Sequence, residues 1–192
     1  MVTITHSSHC LRLDLMGPSI AFLTSPEDAN REFCVLIGVI PPGLSVPLHS
    51  HADVEDFYVI RGELEALRYG PKGRQWLTAK AGDYIHVPGG EPHAWRNVSG
   101  ESAVMLVITT PKLGRFFAEV GRADTGEPVT PEDIARFMAV ASGDYGYWNA
   151  TPEENEAIGI NPSGGRLPLR ATKPNRPSDG RSSAGKCSES EI

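Results

Sequence analysis

The chain has 192 residues, 40% of them hydrophobic and 22% charged, with a net charge of -6. That length supports a single domain with a sizeable core and no need of disulfides, and the composition is that of a soluble globular protein. Residues 1–160 hold 12 Lys+Arg against 21 Asp+Glu, an acidic balance that argues against a nucleic-acid-binding body.

The N-terminus, Met1 to His9, lacks a basic start followed by an apolar run, and no stretch is long enough to span a bilayer, so neither a signal peptide nor a membrane anchor is expected. His6, His9 and Cys10 resemble a small ligand cluster, but terminal histidines are more often simply solvated. Cys10, Cys34 and Cys187 are odd in number and far apart. They imply no disulfide framework, which fits a reducing, cytoplasmic setting.

Strands dominate up to residue 110. Ser19 to Thr24 and Glu32 to Ile40 are apolar and rich in β-branched residues. The second has two apolar faces, Phe33, Val35, Ile37 and Val39 opposite Cys34, Leu36, Gly38 and Ile40. One face belongs to the core; the other has to meet C-terminal helices or a second subunit. After Pro41-Pro42-Gly43 comes the pattern G-x5-H-x-H-x3-E-x6-G, carried by Gly43, His49, His51, Glu55 and Gly62. Side chains of an extended chain alternate, so His49 and His51 share a face, and Glu55 keeps that parity if the chain stays extended. Val54 to Arg61 and Glu63 to Tyr69 flank Gly62 as a tight strand pair. Gln75 to Ala79, Asp83 to Val87, His93 to Val98 and Ser102 to Thr109 follow. Within them lies a second pattern, G-x5-P-x-G-x2-H-x3-N, on Gly82, Pro88, Gly90, His93 and Asn97. Many short strands at even spacing imply a sandwich or barrel.

Three imidazoles and a carboxylate form a ligand set for one divalent first-row transition metal, without choosing among Fe, Mn, Ni, Co, Cu and Zn. Three neighbours are candidate pocket residues. Phe57 shares parity with Glu55 and Trp95 with His93, so both line the pocket or the core beneath it. His86 shares parity with Tyr84 and faces either the cavity or the surface.

Beyond Pro111 the period changes. Leu113, Phe116, Phe117 and Val120 fall at helical spacing, and the two phenylalanines serve either as a lid or as packing. Thr130-Pro131-Glu132-Asp133 opens a second helix with Ile134, Phe137, Met138 and Ala141 on its apolar face, and Thr151-Pro152 caps a third. From Asn161 onward 14 of 32 residues are Pro, Gly or Ser, the composition of a disordered tail. The organisation expected is one domain over 1–160, with a barrel at about 32–110 and a helical extension at 111–160, followed by a tail at 161–192. Neither an internal repeat nor a helix-turn-helix precedes the barrel.

The paired patterns resemble the two motifs of the cupin superfamily over roughly residues 32 to 110. That resemblance implies an all-β jelly-roll barrel with a metal inside, bound by His49, His51, Glu55 and His93. The barrel followed by Phe116-Phe117-Ala118-Glu119-Val120-Gly121-Arg122 is similar to small monocupins described as quercetin 2,3-dioxygenase-like. This likeness implies an oxidoreductase: a dioxygenase cleaving a small flavonol- or diketone-like substrate, with Glu55 as base and a homodimeric assembly. Two alternatives remain at this point. One is a non-oxidative metal enzyme, such as an isomerase, cyclase or decarboxylase. The other is a metal-dependent small-molecule binding protein.

Overall fold

The computed structural model describes residues 2–28, 30–71, 73–161 and 167–170. Twelve strands are present among them: β1 (Arg12–Asp14), β2 (Ser19–Phe22), β3 (Cys34–Ile40), β4 (Ser45–Ser50), β5 (Glu55–Arg61), β6 (Glu63–Gly70), β7 (Gly73–Lys80), β8 (Tyr84–Val87), β9 (His93–Arg96), β10 (Ala103–Thr109), β11 (Arg122–Ala123) and β12 (Trp148–Asn149). Three α-helices accompany them: α1 (Pro111–Val120), α2 (Pro131–Ala139) and α3 (Pro152–Glu156). The strands form two antiparallel sheets, a seven-stranded one in the order β11-β1-β2-β3-β10-β5-β8 and a five-stranded one in the order β12-β4-β9-β6-β7. The inner faces meet in a jelly-roll core that includes Leu36, Phe57, Val59, Leu64, Trp95, Met105 and Val107.

Turn chemistry holds the barrel closed. Gly62, at φ 77°, joins β5 to β6. A Cβ there would lie 2.5 Å from the Ser102 carbonyl oxygen, so no other residue fits. Asn97 is fully buried; its amide donates to the carbonyls of Ile40 (2.8 Å) and Glu101 (2.7 Å), tying the β9–β10 turn to the end of β3.

The C-terminal extension covers the barrel in two places. α1, capped by Thr110, joins Leu113, Phe116 and Val120 to Ala141 and Tyr147 in a separate apolar cluster at the rim. Phe116 packs there against Phe137, Tyr145 and Tyr147, so it serves as core. Ile158 and Ile160 close over the outer face of the five-stranded sheet against Leu48, Leu67 and Ala94.

Two sequence expectations need adjustment, and the open one for β3 is narrowed. α2 forms with its capping box at Thr130 and Asp133, but Ile134 and Met138 are exposed, because only Phe137 and the following turn reach α1. On β3 the Cys34, Leu36 and Ile40 face is buried in the core, while Val35, Ile37 and Val39 lie outside the helical cluster. Residues 167–170, placed in the tail by composition, lie along the barrel. The Leu167 amide donates to the Gly43 carbonyl at 2.8 Å, and Arg170 pairs with Glu65, a buried carboxylate that also takes Arg96 Nε at 2.6 Å. The tail expectation for 162–166 and 171–192 falls outside the described residues.

Candidate metal centre

β4 delivers His49, the turn after it delivers His51, β5 opens with Glu55 and β9 opens with His93. In the β4–β9 ladder His49 stands directly opposite His93, and directly opposed residues share a face. The β8–β9 turn sets the position of His51. The Gly90 amide donates to the His51 carbonyl at 2.6 Å, and Gly89 passes so close that a Cβ would lie 2.3 Å from the Ala52 oxygen. Gly90 of the second pattern, with Gly89 beside it, thus holds the His51–Ala52 segment of the first in place.

The three imidazoles converge. Their ligating nitrogens all lie within 4.8 Å of one another. Each ring gives its Nδ1 to a backbone carbonyl two residues away: His49 to Pro47 at 2.8 Å, His51 to Asp53 at 3.0 Å and His93 to Glu91 at 2.8 Å. A carbonyl only accepts, so each Nδ1 carries the proton and each Nε2 presents a lone pair. Glu55 Oε2 sits 3.3 Å from His51 Nε2 and 3.2 Å from His93 Nε2. Two ligand atoms on one ion, each about 2.1 Å from it, stand roughly 3 Å apart when adjacent, so these separations suit a shared ion. Lone pairs facing one another at such distances in a buried site require a positive centre between them. His93 Nε2 is buried with no hydrogen-bond partner among the described residues, which is the demand a metal ion meets.

The electrostatics agree. Burial of the His49 ring, then the neighbouring His93 and His51, push its pKa down to about 3, favouring the neutral ligand form. At His51 burial opposes the charged form, but the Glu55 carboxylate overrides it and raises the pKa. At Glu55 burial again opposes charge, and the adjacent His51 and His93 rings override it, holding the carboxyl well below its usual range.

Of the other candidates, Phe57 and Trp95 are both buried in the barrel core with ring centroids 4.7 Å apart, and the Trp95 ring lies 6.0 Å from that of His93. His86 is a correction. Register pairs Glu55 with Val87 and Asp56 with His86, so with Glu55 facing inward His86 faces out. There its Nδ1 lies 2.7 Å from Asp56 Oδ1, exposed beside Tyr84. His6 and His9 are exposed, with rings 5.8 Å apart, and join no metal-capable group among the described residues.

Two further residues bear on the centre. Buried Asp53 accepts from Tyr147 Oη at 2.7 Å and from the Thr110 hydroxyl, while its carbonyl orients His51. Asp53 had a signal in its parity with His51 and Glu55. Tyr147 lies 94 residues further along the chain and had none.

Residues 36–109 match the family described as Cupin domain. No curated protein matches the chain. Among solved structures, the polyketide cyclase RemF from Streptomyces resistomycificus is similar at 21% identity and a TM-score of 0.52, covering 58% of this chain and 80% of that one. A predicted oxalate decarboxylase from Thermotoga maritima is 26% identical with a TM-score of 0.49, covering 56% of this chain and 98% of its own. An RmlC-like cupin from Shewanella frigidimarina NCIMB 400 is 18% identical at a TM-score of 0.48, with coverage of 58% and 92%. The match runs from β3 to β10 and takes in both ligand patterns, so residues 36–109 are similar to a Cupin domain, and the two antiparallel sheets supply the jelly roll.

Proposed function

We propose that this protein is a metal-dependent oxidoreductase, a dioxygenase acting on a small oxygenated molecule of the flavonol or diketone kind. The observation that carries the metal part is the convergence of three imidazole Nε2 lone pairs and Glu55 Oε2 inside the barrel. The dioxygenase part rests on the resemblance of the whole layout to quercetin 2,3-dioxygenase-like monocupins. His49, His51, His93 and Glu55 would hold one divalent ion from among Fe, Mn, Ni, Co, Cu and Zn. When bound, that ion supplies a Lewis-acidic, redox-capable centre with open coordination positions.

The chain's own groups do the rest. Glu55 takes the proton of an acidic hydroxyl or C–H on the substrate, since a carboxylate held ionised in the site needs only a small swing to reach it. Phe57 and Trp95 exclude water beneath the reacting atoms. Asp53 and Tyr147 hold His51 in its tautomer. In the overall reaction both atoms of dioxygen enter the cleaved product, so no external reductant is consumed.

A homodimer and a cytoplasmic setting belong to the same reading. A single apolar row, Ala21, Ile37, Leu106, Tyr58 and Tyr84, crosses five strands on the outer face of the seven-stranded sheet. Tyr58 and Tyr84 there are exposed, a face suited to a second copy of the chain. Cys10 and Cys34 are free thiols, and no described helix is long and apolar enough to cross a membrane.

The test combines metal analysis of the purified protein with dioxygen uptake over flavonols, diketones and catechols. Uptake stoichiometric with product supports the proposal. Product without uptake transfers the centre to non-oxidative chemistry such as cyclisation or decarboxylation. Ligand binding without product leaves a binding protein.

A further inference from the structure

β12 lies in the C-terminal extension, yet it extends the five-stranded sheet by pairing with β4. Its register sets Asn149 directly opposite His49 and Trp148 opposite Ser50. Directly opposed residues of an antiparallel pair project from the same face, so the Asn149 carboxamide shares the interior face with the His49 ring. Trp148 alternates outward and is exposed. The backbone around Asn149 is fixed, with the Ala150 amide on the Leu48 carbonyl at 2.9 Å and the Tyr147 amide on Ala141 at 2.8 Å. Asn149 Nδ2 is nevertheless buried without a hydrogen-bond partner among the described residues. A buried amide N–H left unpaired lowers stability, so its retention points to a partner that arrives with the substrate.

The chemistry of that partner follows from the surroundings. An amide NH2 donates and cannot ligate a cation through its nitrogen, so it calls for an acceptor oxygen. Three neutral imidazoles, one carboxylate and a divalent ion leave a single positive charge, which calls for a monoanion. We infer that Asn149 is a substrate-binding residue that donates from Nδ2 to an anionic oxygen of a monoanionic substrate beside His49. This rests on the metal reading above and adds the substrate's charge state and its recognition by the C-terminal extension.

The full chain loaded with Co2+ tests it through the visible absorption of the ion. Two probes are titrated separately: acetylacetonate, an enolate with two oxygens, and imidazole, which once bound through nitrogen offers only an N–H donor. Asn149→Ala should leave Co2+ uptake and imidazole affinity unchanged while weakening acetylacetonate by about 10-fold, the usual loss of a hydrogen bond to a charged group. Asn149→Asp should weaken acetylacetonate further, because a carboxylate then faces the anion. Equal acetylacetonate affinity in wild type and both variants would overturn the inference, and so would a parallel loss of both probes or of Co2+, which would make Asn149 merely structural. Failure of the wild type to take up Co2+ would instead sink the metal reading, and this inference with it.

Discussion

The Tyr147 hydroxyl donates to Asp53 Oδ2 at 2.7 Å across 94 residues of sequence. Asp53 in turn takes the His51 Nδ1 proton on its carbonyl at 3.0 Å. A residue of the C-terminal extension therefore holds a loop of the ligand pattern, and the extension is part of the site. The Tyr147 ring, 5.2 Å from that of His51, is itself fixed against Phe116. Burial and then the Asp53 carboxylate push its pKa up, so it stays a protonated donor at all physiological pH values.

Tyr147→Phe keeps the ring packing and removes the donor to a buried carboxylate. The expected result is a metal affinity lower by about 10-fold, typical for partners that orient a ligand. Competition with a chelator of known affinity measures it. Unchanged affinity would reduce the Tyr147–Asp53 bond to rim packing.

His51→Ala and Glu55→Gln should separate two roles. Losing His51 removes a strong ligand, so the purified variant should carry little metal. Glu55→Gln keeps the shape but replaces an ionised ligand with an amide, which is a poor ligand and no base. It should retain part of the metal and lose most turnover. Wild-type turnover by Glu55→Gln with metal bound would exclude Glu55 as the base.

Metal uptake should release protons in a pH-dependent way. The His51 pKa is raised, with burial opposing and Glu55 favouring the charged form, so a proton on His51 competes with an incoming ion. Proton release on metal uptake should be largest below the His51 pKa and fade as pH rises above it. The dependence of binding enthalpy on buffer ionisation heat measures it. For the metal-free fold the His49 sign is fixed too. A folded pKa of about 3 against an ordinary 6.5 means its stabilising contribution is complete above 6.5 and is lost as pH falls toward 3.

Truncation should divide the tail. Deleting 171–192, a stretch with little apolar surface in its composition, should leave melting temperature and metal content unchanged. Deleting 161–192 also removes Arg170 from buried Glu65 and the Leu167 amide from Gly43, and should lower the melting temperature. Identical melting curves for the two truncations would show the 167–170 contacts to be without weight.

Sedimentation at micromolar concentration should give a dimer, and Tyr58→Lys, in the middle of the apolar row, should shift it toward the 20.7 kDa monomer. A wild-type species at the monomer mass would leave that face without a second copy.

Sequence alone determined what local periodicity and spacing can carry. Spacing marked His49, His51 and Glu55 as one group, glycines marked the turns at 62 and 90, and Thr-Pro pairs at 130 and 151 opened helices where they appear. Those features depend on residues within a few positions of one another. Tertiary structure decided whatever depended on pairing between distant segments. His86 shares a strand with inward-facing neighbours, and only the β5–β8 register turns it outward onto Asp56. Tyr147 and Asn149 sit in an irregular stretch with no period, and reach Asp53 and His49 only because β12 docks on β4. Composition assigned residues 167–170 to a tail, yet one arginine there meets a carboxylate already buried by the sheet. A single ion pair of this kind leaves no trace in hydropathy or periodicity, because its driving force lies in a partner 105 residues away.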